Sequence, residues 1–466
     1  MSRNMSHCVL FLLFLLVPSN AQNKNLIGVN LGRLGNNLPS AYRSIEILKS
    51  MNASLVKLYD ADPELLKLLS GSKIRVSIMV PNREIINIAS NQTLANNWVR
   101  KNVLTYYPET KIRFILVGNE VLSFYSEEDR RICPNIVPAM RKIKNSLKNH
   151  GIRNIKISTP VAMDVLKTPF PPSNGTFRTD ISRSVIVPLL KFLNGTKSFF
   201  FVDVYPYFPW SGNPTNMSLA FALFKSSIRY TDPGSGLVYT NLLDQMIDSL
   251  IFAMKRLGYP NIRVGISETG WPHEGDLDQA GANIYNAASY NRNFINRMTT
   301  DYPIGTPARP REAIPSFIFS LFDENIKGGP GTERHWGLLY ANATPVYDID
   351  LTGKKLLSDY KPLPVPHRNV AYKGKLWCVV EKGADLTRLE RALEFACNQG
   401  NGTCDALAPG KECYEPVSIT WHASYAFSSY WARYRNEGAN CFFDGLARQT
   451  TRNPSSGLCQ FPSVTP

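Results

Sequence analysis

Beyond its first 21 residues the chain has no apolar run long enough to cross a bilayer as a helix, and its last residues, QFPSVTP, form no hydrophobic tail. Neither a helical membrane span nor a glycolipid anchor is therefore expected. Cysteine is nearly missing from most of the sequence: between residues 22 and 377 only Cys133 occurs. That part must hold together without disulfides, and Cys133 reads as a buried free thiol. No CxxC pair occurs anywhere, and His422 is the only histidine in the cysteine-bearing tail, so no zinc site, metal or cofactor is expected. Acidic residues are in deficit, 37 against 52 Lys and Arg, for a net charge of +15.

The N-terminus carries what a secretory signal needs. Arg3 supplies a positive start, residues 8–17 are apolar, and Ser19-Asn20-Ala21 offers small residues for cleavage. Residues 1–21 are read as a signal peptide and Gln22 as the mature N-terminus, with the protein secreted to the extracellular space or cell wall. Sequons stand at Asn52, Asn91, Asn174, Asn194, Asn216, Asn342 and Asn401, and some are expected to carry glycan. From residue 373 onward ten Lys and Arg meet nine Asp and Glu, which leaves +14 on the rest. A secreted protein seldom meets nucleic acid. The charge points instead to weak adhesion to acidic wall polysaccharide, or to solubility alone. A monomer is expected.

Six cysteines, Cys378, Cys397, Cys404, Cys413, Cys441 and Cys459, fall within 82 residues of the tail. An even count so densely spaced in a secreted segment reads as three disulfides, with fifteen connectivities open. Just upstream, KPLPVPHRNVAY (361–372) has three prolines in six residues and no apolar periodicity, the composition of a semi-rigid linker. The chain thus divides into residues 22–360, a linker at 361–372 and a small module at 373–466.

In the larger part, β-type apolar runs alternate with helix-length amphipathic stretches. Strands are expected at 26–30, 55–59, 74–80, 112–118, 155–159, 199–205, 262–267 and 316–322. Helices are expected at 42–51, 96–106, 137–150, 185–193, 242–257 and 282–299. Eight strands with intervening helices suggest a (β/α)8 TIM barrel, α/β in class, although periodicity alone leaves a doubly wound open sheet possible. In a barrel the chemistry lies where strands end. Glu120 follows the fourth strand, in ILVGNEVL, and Glu268 the seventh, in VGISETGWP. Two carboxylates facing each other across a barrel mouth are the minimum equipment for cleaving a glycosidic bond.

IGVNLGRLGNNLP (27–39), VKLYDADPELL (56–66), VGNEVL (117–122), PAMRKIKNSL (138–147), VYPYF (204–208), ISETGWP (266–272) and LFDENIKGGPGTERHWGLL (321–339) together resemble glycoside hydrolase family 17, the plant endo-1,3-β-glucanases. The resemblance covers about residues 25–350. It implies a (β/α)8 barrel, retention at the anomeric carbon, Glu120 as acid/base and Glu268 as nucleophile. WCVV (377–380), ALEFAC (392–397), ASYAFSSYW (423–431), CFFDG (441–445) and CQFP (459–462) resemble carbohydrate-binding module family 43, which binds 1,3-β-glucan. That second resemblance implies the pairs Cys378–Cys441, Cys397–Cys404 and Cys413–Cys459.

The expected function is endo-hydrolysis of 1,3-β-glucan such as callose, targeted by the module. Transglycosylation, or glucan binding without catalysis, is the alternative. A retaining mechanism needs the carboxyls about 5–5.5 Å apart, one ionised and one protonated. Asn119, beside the acid, can hydrogen-bond the sugar 2-hydroxyl, and Tyr205 can hydrogen-bond the nucleophile. Glu324, Lys327 and Glu333 follow the eighth strand, where they can set charge states or bind hydroxyls. Tyr59, Tyr207, Phe208, Trp271 and Trp336 are aromatics of the upper loops that could stack on sugar rings. Two positions depart from the family: Leu31 replaces a usual Tyr or Trp, and Asp323 a frequent Asn. In the module, Trp421 and Tyr425 are the candidate sugar contacts.

Overall fold

The computed structural model describes residues 26–400 and 402–466; the expected signal peptide (1–21) and the sequon residue Asn401 lie outside the described residues. Nine parallel segments form one sheet: β1 (Ile27–Leu31), β2 (Leu55–Leu58), β3 (Arg75–Val80), β4 (Lys111–Val117), β5 (Lys156–Ser158), β6 (Pro160–Ala162), β7 (Phe200–Asp203), β8 (Val264–Thr269) and β9 (Ser316–Ile318). Their order is β5-β4-β3-β2-β1-β9-β8-β7-β6. Only Thr159 separates β5 from β6, so the two ends of the sheet meet in one stretch of chain. The expected fifth strand is thus two short segments, one pairing with β4 and the other with β7. The sheet is a nearly closed (β/α)8 barrel, and the open-sheet alternative falls away.

Helices cover the outside: α1 (Ala41–Ser50), α2 (Gln92–Val99), α3 (Ile136–Asn149), α4 (Val187–Thr196), α5 (Leu242–Arg256) and α6 (Ile284–Met298). Their starts are written in side chains that accept otherwise orphaned backbone N–H groups. Ser40 accepts from Arg43, Asn91 from Thr93, Asn241 from Asp244 and Asn283 from Asn286. The Asn91 cap explains why α2 begins four residues before the expected helix, whose later part is a π turn over Arg100–Leu104.

The two-residue period of the strands sorts side chains between outside and inside. On β2, Val56 and Leu58 join the core beneath the helices, whereas Leu55 enters the barrel with Met79, Phe114, Leu116, Phe199, Phe201 and Phe317. These rings fill the lower barrel, with Phe114 edge-on to Phe201 at 5.1 Å. Two residues higher on the same face stand Lys57 and Asp203, and then Tyr59 and Tyr205. Ascending the barrel, the interior changes from aromatic to polar. The pairing of β8 with both neighbours shifts register beyond Ile266. That irregularity lets consecutive residues, Ser267 and Glu268, both reach interior partners.

The module has two strands, β10 (Trp377–Val380) and β11 (Ala447–Thr450), paired antiparallel, and two helices, α7 (Leu386–Cys397) and α8 (Ile419–Tyr434). Disulfides join Cys378 to Cys441, Cys397 to Cys404 and Cys413 to Cys459. Cys133 is buried and unpaired, and burial raises its thiol to about 11. Residues 361–372 carry no helix or strand. No helix of the described residues is long and apolar enough to cross a membrane. The six described sequon asparagines, from Asn52 to Asn342, are all exposed.

Candidate active site

Glu268 is the most tightly held side chain of the barrel mouth. Its Oε1 accepts from Lys57 Nζ at 2.7 Å and from the Tyr59 hydroxyl at 2.6 Å, and its Oε2 from the Tyr205 hydroxyl at 2.7 Å. Burial alone would raise this carboxyl. The adjacent Lys57 ammonium and the three hydrogen bonds outweigh it, so the group lies below the ordinary carboxylate range. Burial, followed by the Glu268 charge, lifts both tyrosines well above their usual range, so they remain hydroxyl donors. These contacts favour the ionised form of Glu268 and fix both of its oxygens.

Glu120 has the opposite environment. It begins the turn after β4 with φ 49° and ψ 26°, a left-handed conformation that is strained for a side chain of this size. Asn82 braces the turn: its Oδ1 accepts from Asn119 N at 2.8 Å, and its Nδ2 donates to Asn119 O at 3.2 Å. Burial, then the charge of Glu268, raise Glu120 to about 7, against the opposing charges of Lys57 and Lys327. One carboxyl is depressed and its neighbour elevated. This is the asymmetry that separates a nucleophile from an acid. A recess of about 310 Å³ opens beside Glu120, lined by Tyr59, Asn82, Asn119 and the exposed Tyr125 among others. Asn119 Oδ1 is buried beside this recess and has no protein hydrogen-bond partner.

The third polar group closes the ring. Glu324 Oε1 accepts from Leu34 N at 2.7 Å, and burial raises its pKa. A Cβ on Gly32 would stand 2.3 Å from Glu324 Oε2, so glycine is what admits the carboxylate there. Lys327 pairs with Glu333 at 2.9 Å and lies over the Phe319 ring at 4.4 Å. Asp323 accepts from His273 Nε2 at 2.9 Å and from Gly337 N at 2.9 Å; burial would raise its carboxyl, but His273 and His335 beside it hold it below the ordinary range.

Several positions differ from their sequence reading. Trp271 is fully buried, donates from Nε1 to Gly281 O at 2.8 Å, and packs on Tyr207, Trp210 and Tyr290. It is a core residue rather than a sugar platform, because the loop carrying it folds inward on α6. Tyr207 and Trp336 are also buried, and Trp336 supports Tyr205 at 4.9 Å. Phe208, 48% exposed and resting on Trp336, stays open to solvent. Leu31 is buried and lines a small cavity with Leu38, Leu65 and Phe322. In the module, Trp421 donates to Cys413 O at 3.0 Å and packs on Phe461, while Tyr425 is buried against the same ring. Trp421 stays partly exposed, whereas Tyr425 is buried.

Sequence reasoning missed Lys57 and Asp203. Asp203 bonds the Ser267 hydroxyl, and burial followed by the Glu268 charge raises it well above the carboxylate range. The signal for Lys57 was a lone cation inside the apolar strand LVKL, which only a buried anion can justify.

Residues 27–351 match the family described as Glycosyl hydrolases family 17. The chain belongs to glycosyl hydrolase family 17. Residues 376–448 match the X8 domain. The chain is 61% identical over 439 residues to the "Probable glucan endo-1,3-beta-glucosidase A6" of Arabidopsis thaliana, covering 94% of this chain and 91% of that protein. It is 34% identical over 458 residues to the "Glucan endo-1,3-beta-D-glucosidase" of Olea europaea, covering 98% and 97%. Among solved structures, a β-1,3-glucanase and allergen of Cryptomeria japonica pollen superposes with a TM-score of 0.66 at 39% identity, over 70% of this chain and 99% of that one. This family 17 barrel therefore carries its depressed and raised carboxyls at the ends of β8 and β4.

Proposed function

We propose that the chain is a retaining endo-hydrolase of 1,3-β-glucan, with Glu268 as nucleophile and Glu120 as general acid/base. The opposed environments of these two carboxyls carry the reading. Glu268, ionised by Lys57 and two tyrosine hydroxyls, attacks the anomeric carbon while Glu120 protonates the departing glycosidic oxygen. The glucosyl ester removes the negative charge of Glu268, so the repulsion that raised Glu120 falls. Glu120, left as a carboxylate by that proton transfer and now free of this repulsion, takes a proton from water as that water attacks the ester. Free enzyme is regenerated with configuration retained. Asn119 serves the 2-hydroxyl, Phe208 a sugar face, and Glu324 and Lys327 further hydroxyls. The 1,3-linkage is taken from the names of the relatives. Disulfides, sequons and the signal-like N-terminus support secretion to the wall.

Product analysis on a linear 1,3-β-glucan tests the reading. New reducing ends with the β configuration retained are expected. Longer chains without net hydrolysis would make the protein a transglycosylase. Unchanged polymer would leave only a binding role.

A further inference from the structure

The barrel and the module meet along a seam that ends beside the cleft. Leu277, from the loop after β8, packs into the module core and donates its N–H to Gln449 Oε1 at 2.9 Å. Asp278 beside it pairs with Arg435 of the module. Arg334 forms a strut between the two units. Its guanidinium stands 3.6 Å from the ring centre of Phe442, while Nη1 donates to the carbonyls of Lys327 and Gly329 at 3.0 and 3.1 Å. The ammonium of that same Lys327 pairs with Glu333 and acts on the charge of Glu120. One loop thus serves the cleft with the Lys327 side chain and the module with the Arg334 side chain, which its own backbone carbonyls hold in place.

Between this loop and the module lies a groove of about 520 Å³, whose walls include Gly328 of the barrel and Arg388, Arg391, Phe395, Tyr430 and Asn440 of the module. Phe395 is 47% exposed, and Tyr430 holds it edge-on at 5.5 Å. An open aromatic ring beside guanidinium and amide donors suits a pyranose, whose CH face meets the ring while its hydroxyls meet the donors. The aromatics first expected to bind sugar, Trp421 and Tyr425, are packed on Phe461 instead.

We propose that this groove is an outer subsite for the same 1,3-β-glucan molecule that occupies the cleft. The module then extends the binding site of the barrel, rather than holding a separate polymer at a distance. The proposal rests on the reading that the cleft takes 1,3-β-glucan. The continuity of the loop 327–334 with both surfaces selects this occupant over an unrelated ligand.

The test uses the full chain carrying E268Q and a series of 1,3-β-glucan oligosaccharides of increasing length, followed by calorimetry. Affinity should rise in a second step once the chain is long enough to reach the groove, with one long oligosaccharide bound per protein. F395A should weaken binding of the long oligosaccharide about tenfold, and leave a short one unchanged. F395Y, which keeps the ring, should retain the second step. The exposure of Phe395 makes its replacement harmless to the core. Two long oligosaccharides per protein, or an equal F395A effect at every length, would overturn the proposal. So would polygalacturonate binding that depends on Phe395 and Arg391 while glucan binding does not. If wild-type protein cleaves no glucan and E268Q binds none at any length, the functional reading itself has failed.

Discussion

The barrel and the module solve the same problem of stability with different means. Inside the barrel, Lys57, Asp203 and Glu268 are buried together, Glu324 is buried at its mouth, and Asp244 and Asp248 are buried on the covering helix α5. In the module, the buried polar side chains among the described residues are hydroxyls: Thr403, Ser424, Ser428 and Ser429. Desolvating an ion costs several kcal/mol even when it is paired. A barrel with a continuous apolar core can carry that cost. A module of about 90 residues cannot, and it closes loops with disulfides at sequence separations of 63, 7 and 46 instead. Reactive groups therefore belong to the barrel and exposed recognition surface to the module.

The largest expected effect falls on the barrel alone. E268Q should lower turnover on the order of 10⁴-fold or more, while binding of the full chain to insoluble glucan persists. A loss of both together would erase the division between the two units. K57M comes next, since it leaves Glu268 buried without its cation. Stability should fall by about 3 kcal/mol in denaturant titration, and turnover by about 100-fold. Near-native turnover would mean that the tyrosine hydroxyls alone hold the carboxylate.

Reduction of the three disulfides probes the other side of the comparison. The module transition should disappear from a calorimetric scan, and retention on insoluble glucan should fall at least about tenfold. Hydrolysis of a short soluble oligosaccharide should persist, because the barrel contains no disulfide among the described residues. The smallest effect concerns Glu120. Its carboxyl, at about 7 in the fold against an ordinary 4.5, favours the native state at low pH and loses that contribution as pH rises through 7. E120Q, which cannot ionise, should therefore raise the melting temperature relative to wild type at pH 8 by a few degrees, and much less at pH 5. An equal gain at both pH values would contradict the raised carboxyl.

How much of this was legible follows from the range of each interaction. The strands were, because buried parallel strands are continuous apolar runs, as in IMV of β3 and FILV of β4. Glu120 and Glu268 were, because each directly follows or ends such a run. The division of the fifth strand at Thr159 was not, since both halves are equally apolar and only their neighbours distinguish them. Lys57 and Asp203 escaped notice because their partners, Glu268 and Ser267, lie on a strand distant in sequence. Trp271, Trp421 and Tyr425 read as surface aromatics because an indole or phenol is compatible with either side of a loop; Gly281, Cys413 and Phe461 decide the matter from afar. Leu31 stood out in the sequence only as a departure from the family; its burial beside Leu38, Leu65 and Phe322 is a tertiary fact.

Trapping the covalent intermediate tests the central assignment most directly. A 2-deoxy-2-fluoro glucosyl fluoride bearing a 1,3-linked glucose slows both steps at the anomeric carbon, and its good leaving group lets the ester accumulate. Peptide mass spectrometry after digestion should find the label on Glu268. A label on Glu120, or an active enzyme that never becomes labelled and inverts configuration, would contradict the account.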